Sequence, residues 1–399
     1  MPVQDLRADG DRDLYDRLLK DRDVVSAIER FEKHASDMGA RRQLLGTAMR
    51  LTAAMAPDVH EIMESCRQTL AIDAPVETYV YPSPMYNAAA VRPERGLLLV
   101  LISSSLLEAF EPDELKFVVG HELGHHLFGH HRIPVGALLG GAVPIGGALA
   151  LQLFAWQRYA EISSDRAGLA CAGNLDPAAR SLFKLASGLR GGRIRIDIQQ
   201  FLSQVRDLRE EVTRVASAAE PPRGDWFATH PFSPLRVRAV ELAARSVIIT
   251  PDGMPRSALE AKIQDLMALM DPSYLVERSD TAEAMRRLLL AGAILIASAA
   301  STPNVEALKE LERMLGLGSL PAEIKPAVMR NDLERRIARV NEVVPPLRRA
   351  QIVRDLCVIA RADQHLDEAE QKILYEIAAA VGVDASLVAC STSGPADLD

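Results

Sequence analysis

The spacing of apolar residues predicts helices at the start of the chain and a small β-sheet after them. Between residue 11 and about residue 70, apolar side chains recur at the intervals of one helix face. Examples are Leu14, Leu18 and Leu19, and later Ile62, Cys66 and Leu70. Short β-prone segments follow at 77–80, 87–91 and 96–102. We therefore expect residues 1–70 to form a helical region that packs on the domain that follows it.

Helices are predicted again after the sheet. One begins at Pro112, because proline is favoured in the first turn of a helix and the next two residues, Asp113 and Glu114, suit its positive end. A second is expected to begin near Ala155. Further helices are predicted at about 178–189, 197–217 and 233–246. Residues 71–246 are thus expected to form one domain.

The rest of the chain is predicted to be a linker and a second domain. Residues 247–274 are interpreted as the linker, since Pro251, Gly253 and Pro255 lie near their start. Residues 275–390 form an all-helical domain by pattern, with a faint repeat between 294–317 and 358–383. The predicted fold class is therefore α+β and mostly helical, with a small sheet in the larger domain and an all-α C-terminal domain.

Composition and charge indicate which partners and which cellular compartment to expect for the protein. The 399 residues carry a formal net charge of −8 with acids and bases mixed along the chain, so nucleic-acid binding is not expected. The four cysteines lie far apart and lack CxxC spacing, which indicates a reducing compartment rather than a disulfide framework. The N-terminus is charged and lacks the apolar core of a signal peptide. We expect a cytoplasmic protein.

One uncharged apolar stretch, residues 133–157, is long enough to span a bilayer. Its glycines and prolines favour a loop or a bent apolar hairpin instead. A single span would also separate two halves of the metal site described next. Any membrane contact is therefore expected to be confined to this stretch, and not to be a single span.

The strongest chemical signal is the sequence His-Glu-Leu-Gly-His at 121–125. On a helix, this HExxH spacing places His121 and His125 one turn apart on one face, where both can bind one metal ion, with Glu122 beside it as a general base. Glu161, in the later Glu-Ile-Ser-Ser-Asp run, is the candidate third ligand. Asp165, one turn further, could accept a hydrogen bond from a ligand histidine.

Two alternatives remain open at this site. A structural zinc site would need a fourth protein ligand, whereas two histidines and one glutamate leave a position for water. His126, His130 and His131 lie off the ligand face or beyond the motif, so they are interpreted as surface residues or as outer partners of the site.

Four motifs in order resemble the gluzincin zinc metallopeptidases of the HtpX and CAAX-prenyl-protease group. They are NAAAV at 87–91, HELGHH at 121–126, EISSDRAG at 161–168 and THPFSPLR at 229–236. The resemblance covers roughly residues 60–245 and implies a zincin-type domain over 71–246 that binds one Zn²⁺. It implies His121, His125 and Glu161 as ligands and Glu122 as the base.

The same resemblance implies roles for residues outside the metal ligands. His230 would stabilise the oxyanion, and Arg236 would be structural, pairing with a carboxylate of the Glu161–Asp165 helix. Asn87, Ala88 and Ala89 would belong to an edge strand that aligns substrate. The chain lacks the spanning helices of the membrane members, so prenylated substrates are not inferred. We expect a soluble zinc endopeptidase acting on a protein or peptide.

The C-terminal part, about residues 275–385, resembles the TerB domain associated with tellurite resistance. In ARADQHLDEAEQKIL at 360–374, Asp363 and Glu370 keep the spacing of that family's acidic loop, but Gln364 replaces its glycine. A cation site at Asp363, Asp367 and Glu370 is one interpretation, and a solvated helix start with N-terminal acids is the favoured one. This domain could bind a regulatory partner. An alternative function is a stress-linked scaffold with a latent peptidase site.

Overall fold

The computed structural model describes most of the chain, in eleven stretches. They are residues 2–35, 39–139, 147–189, 196–215, 229–270, 273–275, 279–300, 303–316, 318–321, 323–363 and 365–393. The strands are β1 (Met49–Leu51), β2 (Val76–Tyr81), β3 (Ala88–Glu94) and β4 (Leu97–Ser103). The helices up to the end of the sheet region are α1 (Asp9–Leu18), α2 (Arg22–Ala35), α3 (Ala40–Thr47), α4 (Pro57–Thr69) and α5 (Ser104–Ala109).

The remaining helices follow the sheet. They are α6 (Pro112–Leu127), α7 (Val135–Leu139), α8 (Gly147–Ala172), α9 (Leu175–Ser187), α10 (Ile198–Val215), α11 (Ser233–Ala244) and α12 (Arg256–Met267), then α13 (Asp280–Ala297), α14 (Val305–Leu315), α15 (Pro326–Val343), α16 (Pro346–Ala360), α17 (Glu368–Ala380) and α18 (Ala385–Ser393). The chain divides into two compact units. The first unit comprises Met1–Val143, Trp156–Val205 and Thr229–Leu266, and the second comprises Pro144–Ala155, Arg206–Ala228 and Met267–Asp399.

The sheet of the first unit has four strands in the order β1-β2-β4-β3. β2 and β4 are parallel, with Val76 opposite Leu98, whereas β1 and β3 pair antiparallel to their neighbours. The central strand β4 is the apolar run Leu97–Ser103 and is mostly buried. β3 lies at the edge of the sheet and contacts α6. The three predicted strands are therefore present, and β1 is a strand within the region that was predicted to be helical.

Two helices occupy parts of the apolar stretch 133–157, where a loop or a bent apolar hairpin was predicted. α7 and the first turns of α8 lie within it, and residues 140–146 lie outside the described part of the chain. α8 begins at Gly147 rather than near Ala155, because its early residues, such as Leu149 and Leu153, are buried and extend the helix. Among the residues described, none of the helices is both long and apolar enough to cross a membrane.

The segment expected to be a linker, 247–274, contains helix α12. Leu259 and Ile263, four positions apart, are fully buried, so this helix has an apolar face of its own. Arg256 at its start donates hydrogen bonds to the carbonyl oxygens of Asp5 and Arg7 at 2.6 and 2.7 Å. The prolines and glycine therefore mark only the turn before α12, and burial of its apolar face extends the ordered structure beyond residue 246.

The second unit is all-helical over its described residues. α13 is buried along most of its length and contacts α14, α15, α16 and α17. The two predicted repeat segments each contain the end of a helix, a turn and a further helix, as α13–α14 and α16–α17. Inside this unit, the Tyr274 hydroxyl donates to the buried carboxylate of Asp355. The predicted fold class is confirmed: over its described residues the chain is mostly helical, with one small sheet.

Candidate metal centre

Helix α6 carries the HExxH residues and is well defined at its start. Glu111 and Glu114 form a reciprocal capping box around Pro112 in the first turn, so two backbone N–H groups at this end are satisfied. Gly120 and Gly124 then allow a close approach to α8. A Cβ at Gly124 would lie 2.9 Å from the Cβ of Ala167, too near for two carbon atoms. These glycines bring the histidines of α6 next to the carboxylates of α8.

Three side chains converge where the two helices approach each other. The Nε2 atoms of His121 and His125 are 3.1 Å apart. Oε2 of Glu161 lies 3.5 Å from Nε2 of His121, and Oε1 lies 3.3 Å from Nε2 of His125. In the described part of the chain, these three residues form the one group with the spacing of a metal site. The three predicted ligands are thus brought together by the fold.

The donor set fits a divalent metal ion such as Zn²⁺. Two imidazole nitrogens and one carboxylate are the ligands of many zinc sites with an open fourth position, and zinc–nitrogen bonds of about 2.0–2.1 Å suit nitrogens this close together. Oε2 of Glu161 is buried and accepts no hydrogen bond in the described structure, although it forms an ion pair with Nη2 of Arg236 at 3.2 Å. A buried carboxylate oxygen that accepts no hydrogen bond is costly, and a metal ion would satisfy it.

Asp165 and Arg236 lie behind this group, on the His121 side. Asp165 Oδ1 is 2.9 Å from Nδ1 of His121. Arg236, on α11, donates two hydrogen bonds to the Asp165 carboxylate, at 2.7 and 2.9 Å, and its Nη2 lies 3.2 Å from Oε2 of Glu161. Burial opposes the charge of Asp165, but Arg236 and His121 outweigh burial and hold the pKa of Asp165 below its usual value. The pKa of Glu161 is lowered for the same reasons.

Glu122 points toward the edge strand. Its Oε2 accepts a hydrogen bond from the backbone N–H of Ala90 at 2.7 Å, and the residue is nearly buried. The N–H groups of a strand alternate between its two sides. The N–H groups of Ala88 and Ala90, two positions apart, therefore both point away from β4. Ala89 pairs with Leu101 on β4. The carboxylate next to the metal group is therefore held by the strand whose outer edge is unpaired in the sheet.

The other predicted residues of this site lie at its margin. His230 is 62% exposed, and its Nε2 lies 3.6 Å from Oε1 of Glu161. Its Nδ1 is 2.8 Å from the hydroxyl of Thr229. Asn87 comes directly before β3 and donates from its side chain to the hydroxyl of Tyr81 at 2.9 Å. A cavity of about 340 Å³ is lined by His125, Glu161 and His230 among other residues.

One close partner of the site, His130, was interpreted from the sequence only as a surface residue or as an outer partner of the site. His130 is buried, and its Nδ1 lies 3.0 Å from Nδ1 of His125. Gly129, in the left-handed conformation with φ of 71°, turns the chain back after α6. The other ring nitrogen of His130 lies 3.0 Å from the carboxylate of Asp11, on α1. The sequence contained one signal for His130, a glycine just after the last helical turn that is followed by a histidine. It contained no signal for Asp11.

The acidic residues of the second unit have other partners. Asp367 and Glu370 form a capping box at the start of α17. Asp363 accepts a hydrogen bond from the backbone N–H of His365 at 3.0 Å, and Asn304 donates to Glu370 at 3.3 Å. The three carboxylates are not among the metal-site groups of the described residues, and Gln364 lies outside those residues. This geometry favours helix capping over the cation site.

Comparison with known proteins agrees with the metal group and with the two-part architecture. Residues 53–144 and 136–244 match peptidase family M48, and residues 306–389 match tellurite resistance protein TerB. These matches agree with the expected architecture, an M48 peptidase domain followed by a TerB domain. No solved structure matches the chain.

Among the curated relatives that match parts of the chain are the following three. A plastoglobule-localized metallopeptidase 48 of Arabidopsis thaliana chloroplasts is 28% identical over 51% of this chain and 61% of its own length. A protease HtpX homolog of Gemmatimonas aurantiaca is 26% identical over 49% of this chain and 78% of its own length. Another HtpX homolog, from a Sulfurihydrogenibium species, is 31% identical over 24% of this chain and 30% of its own length. The chain thus spans less than two thirds of the first of these relatives.

Proposed function

We propose that the protein is a zinc-dependent endopeptidase with its active site at His121, His125 and Glu161. The observation that carries the proposal is the convergence of these three donors beside Glu122, at the edge of the sheet. A bound zinc ion would supply a water of lowered pKa and would polarise the scissile carbonyl. The match to peptidase family M48 supports the same class of reaction.

The substrate would lie along β3 as an added strand. The outer edge of β3 is unpaired within the sheet, and outward N–H groups such as that of Ala88 can bond to the backbone of an extended peptide. Backbone pairing of this kind recognises an extended chain with little dependence on its side chains. It would bring a peptide carbonyl next to Glu122 and the metal group, which is the arrangement an endopeptidase needs.

Glu122 would act as the general base. Its Oε2 is held by the N–H of Ala90, so the carboxylate is fixed, and Oε1 remains to accept a proton from the attacking water. The same carboxyl group would then pass that proton to the leaving amine. His230 is exposed and close to Glu161, so its ring could donate a hydrogen bond to the oxyanion that forms at the scissile carbonyl.

Glu122→Gln tests this proposal. The variant should bind zinc as the wild type does, because Glu122 is not a ligand, and should lose peptide cleavage by roughly 10²–10⁴-fold, since the amide cannot accept the proton. Zinc content would be measured by metal analysis, and cleavage would be measured on unfolded protein substrates and by proteomics of cells that express each form. Glu108→Gln, an exposed change on α5, is the matched control.

Equal cleavage by wild type and Glu122→Gln would refute the peptidase proposal. The remaining candidate would then be a scaffold that acts through the TerB domain, for which the geometry offers no specific support. His230→Phe in the same assay should keep zinc and lower turnover by roughly 10²–10³-fold, as expected for the loss of one oxyanion donor. Loss of zinc in this variant would instead assign His230 to the metal ligands.

A further inference from the structure

We propose that Asp11 and His130 are positioning residues for the metal ligand His125, so that the N-terminal helix α1 is a working part of the metal site. The inference rests on the proposed metal site, but it concerns residues that precede the matched peptidase region at 53–244 or that lie outside the HExxH motif. Its basis is a continuous chain of hydrogen bonds from α1 to the metal group.

The chain of contacts has two links. The carboxylate of Asp11 lies 3.0 Å from Nε2 of His130, and Nδ1 of His130 lies 3.0 Å from Nδ1 of His125. His125 then presents its Nε2 to His121 and Glu161. Both ring nitrogens of His130 are therefore engaged, one toward α1 and the other toward the metal group.

The direction of each hydrogen bond follows from the Asp11 end. An ionised carboxylate can only accept, so Nε2 of His130 must carry a proton and donate it to Asp11. In a neutral ring, Nδ1 of His130 is then an acceptor, and the proton between the two rings belongs to Nδ1 of His125. The Nε2 lone pair of His125 is left facing the metal group, which is the tautomer that a metal ligand needs.

Asp11 is held firmly enough to set this direction. Although fully buried, its carboxylate accepts hydrogen bonds from Arg7 at 2.9 and 3.1 Å, from Nε1 of Trp156 at 2.9 Å and from the hydroxyl of Ser163 at 2.7 Å. Together with His130, these partners satisfy both oxygens and include a cation. The carboxylate is therefore ionised and fixed in place.

Helix α1 packs closely against α8 at Gly10. A Cβ at Gly10 would lie 2.5 Å from the ring of Tyr159 on α8, so only glycine permits this approach. The next residue along α1 is Asp11. The His130 ring is close to the rings of Trp156 and Phe128, with both centroid distances at 5.7 Å. The ring therefore has little freedom to turn away from His125.

The test measures metal binding rather than cleavage. We would determine the zinc dissociation constant by competition with a chromophoric chelator, for the full chain and for variants at both positions. His130→Phe fills the space but accepts no hydrogen bond, so zinc affinity should fall roughly 10- to 100-fold, the usual cost of losing an outer partner. His130→Asn keeps an acceptor near the Nδ1 position and should recover a large part of that loss.

Asp11→Asn should weaken zinc binding in the same direction, and Asp16→Asn, an exposed change on the same helix, should not. Visible absorption of the Co²⁺-substituted protein would report a changed ligand geometry in His130→Phe. Thermal melting in the presence of a chelator would establish that each variant folds without metal. If His130→Phe does not fold, the comparison of zinc affinity between Asp11→Asn and Asp16→Asn decides whether the inference holds.

Zinc affinity and Co²⁺ spectra equal to wild type in His130→Phe and Asp11→Asn would overturn the inference. Equal weakening by His130→Phe and His130→Asn would also overturn it, since the acceptor would then not be the cause. Neither result would affect the peptidase proposal, which is decided by Glu122→Gln. A wild-type chain that does not bind zinc would overturn both.

Discussion

The two histidines of the metal group are supported in different ways. His121 contacts Asp165, whose carboxylate is held by Arg236 in a bidentate pair. His125 contacts a second histidine, His130, which connects it to Asp11. One support thus consists of a single carboxylate in direct contact. The other is a two-step chain that ends on Asp11, which lies 119 positions before His130 in sequence.

The electrostatic settings of the two aspartates are nevertheless alike. Burial opposes the charge of each, and hydrogen bonds and nearby cations outweigh burial, so the pKa of each lies below its usual value. The two aspartates differ in whether the cation that pairs with them also faces another carboxylate. Arg236 also faces Glu161, so the charge that fixes Asp165 acts on a ligand as well. In the described part of the chain, Arg7 forms its ion pair with Asp11, which is not one of the three residues of the metal group. In the proposed metal site, the His121 side is therefore coupled to Glu161 through charge, whereas the His125 side would act through orientation.

The largest effect is expected from Arg236→Met, which removes the shared cation. Asp165 and Glu161 would be left as buried carboxylates without it, and breaking a buried pair from one side costs about 3–5 kcal/mol. The free energy of unfolding would be measured by denaturant titration with a chelator present, where no metal can compensate the charge of Glu161. Zinc should reduce the loss.

Arg180→Met provides the control for this variant. Arg180 forms a pair with Asp176, but both side chains are about half exposed, so the change should cost less than about 1 kcal/mol. Similar losses for the two variants would contradict the coupling of Arg236 to the ligand set.

A smaller effect is expected from neutralising the two aspartates, Asp165→Asn and Asp11→Asn. Each should weaken zinc binding roughly 10- to 100-fold. Because they act through different histidines, the double variant should show nearly the product of the two losses. The same chelator competition measures all three. A double variant no weaker than the poorer single one would mean that the two supports are not separate.

The smallest effect is expected for the ion pair of Arg41 and Glu77, near the surface of the sheet. It provides a contrast with the buried ion pairs of the metal site. Arg41 forms two hydrogen bonds of 2.8 Å with Glu77 and, with Tyr79, lowers the pKa of Glu77 to about 2. A lowered pKa stabilises the fold above the unfolded pKa of 4.5, and this contribution is lost as the pH falls toward 2.

Glu77→Gln should therefore lower the free energy of unfolding by about 1 kcal/mol at neutral pH, since Arg41 is partly exposed. Denaturant titrations at several pH values should show the gap between wild type and variant closing below pH 4.5. A gap that stays constant with pH would assign the effect to packing rather than to charge.

The sequence allowed much of the metal group to be predicted. The HExxH spacing and the Glu161–Asp165 spacing each depend on helical geometry, which repeats locally and can be read from the chain. The strands and the start of α6 were also recognisable, because short β-prone segments and a proline followed by acids are local signals. The starts of α8 and α12 were harder to predict from the sequence. There, burial of apolar residues such as Leu149 and Leu259 accompanies helices that begin close to the glycines and prolines.

What the sequence by itself determined is the identity of the donors and the helices that carry them. Only the tertiary structure decided how those donors are held. The contact between Asp11 and His130 depends on α1 approaching α8 at Gly10, and the Arg236 pair depends on where α11 lies. Hydrogen bonds between distant segments have no spacing rule, since packing of apolar faces, and not local backbone geometry, brings the partners together.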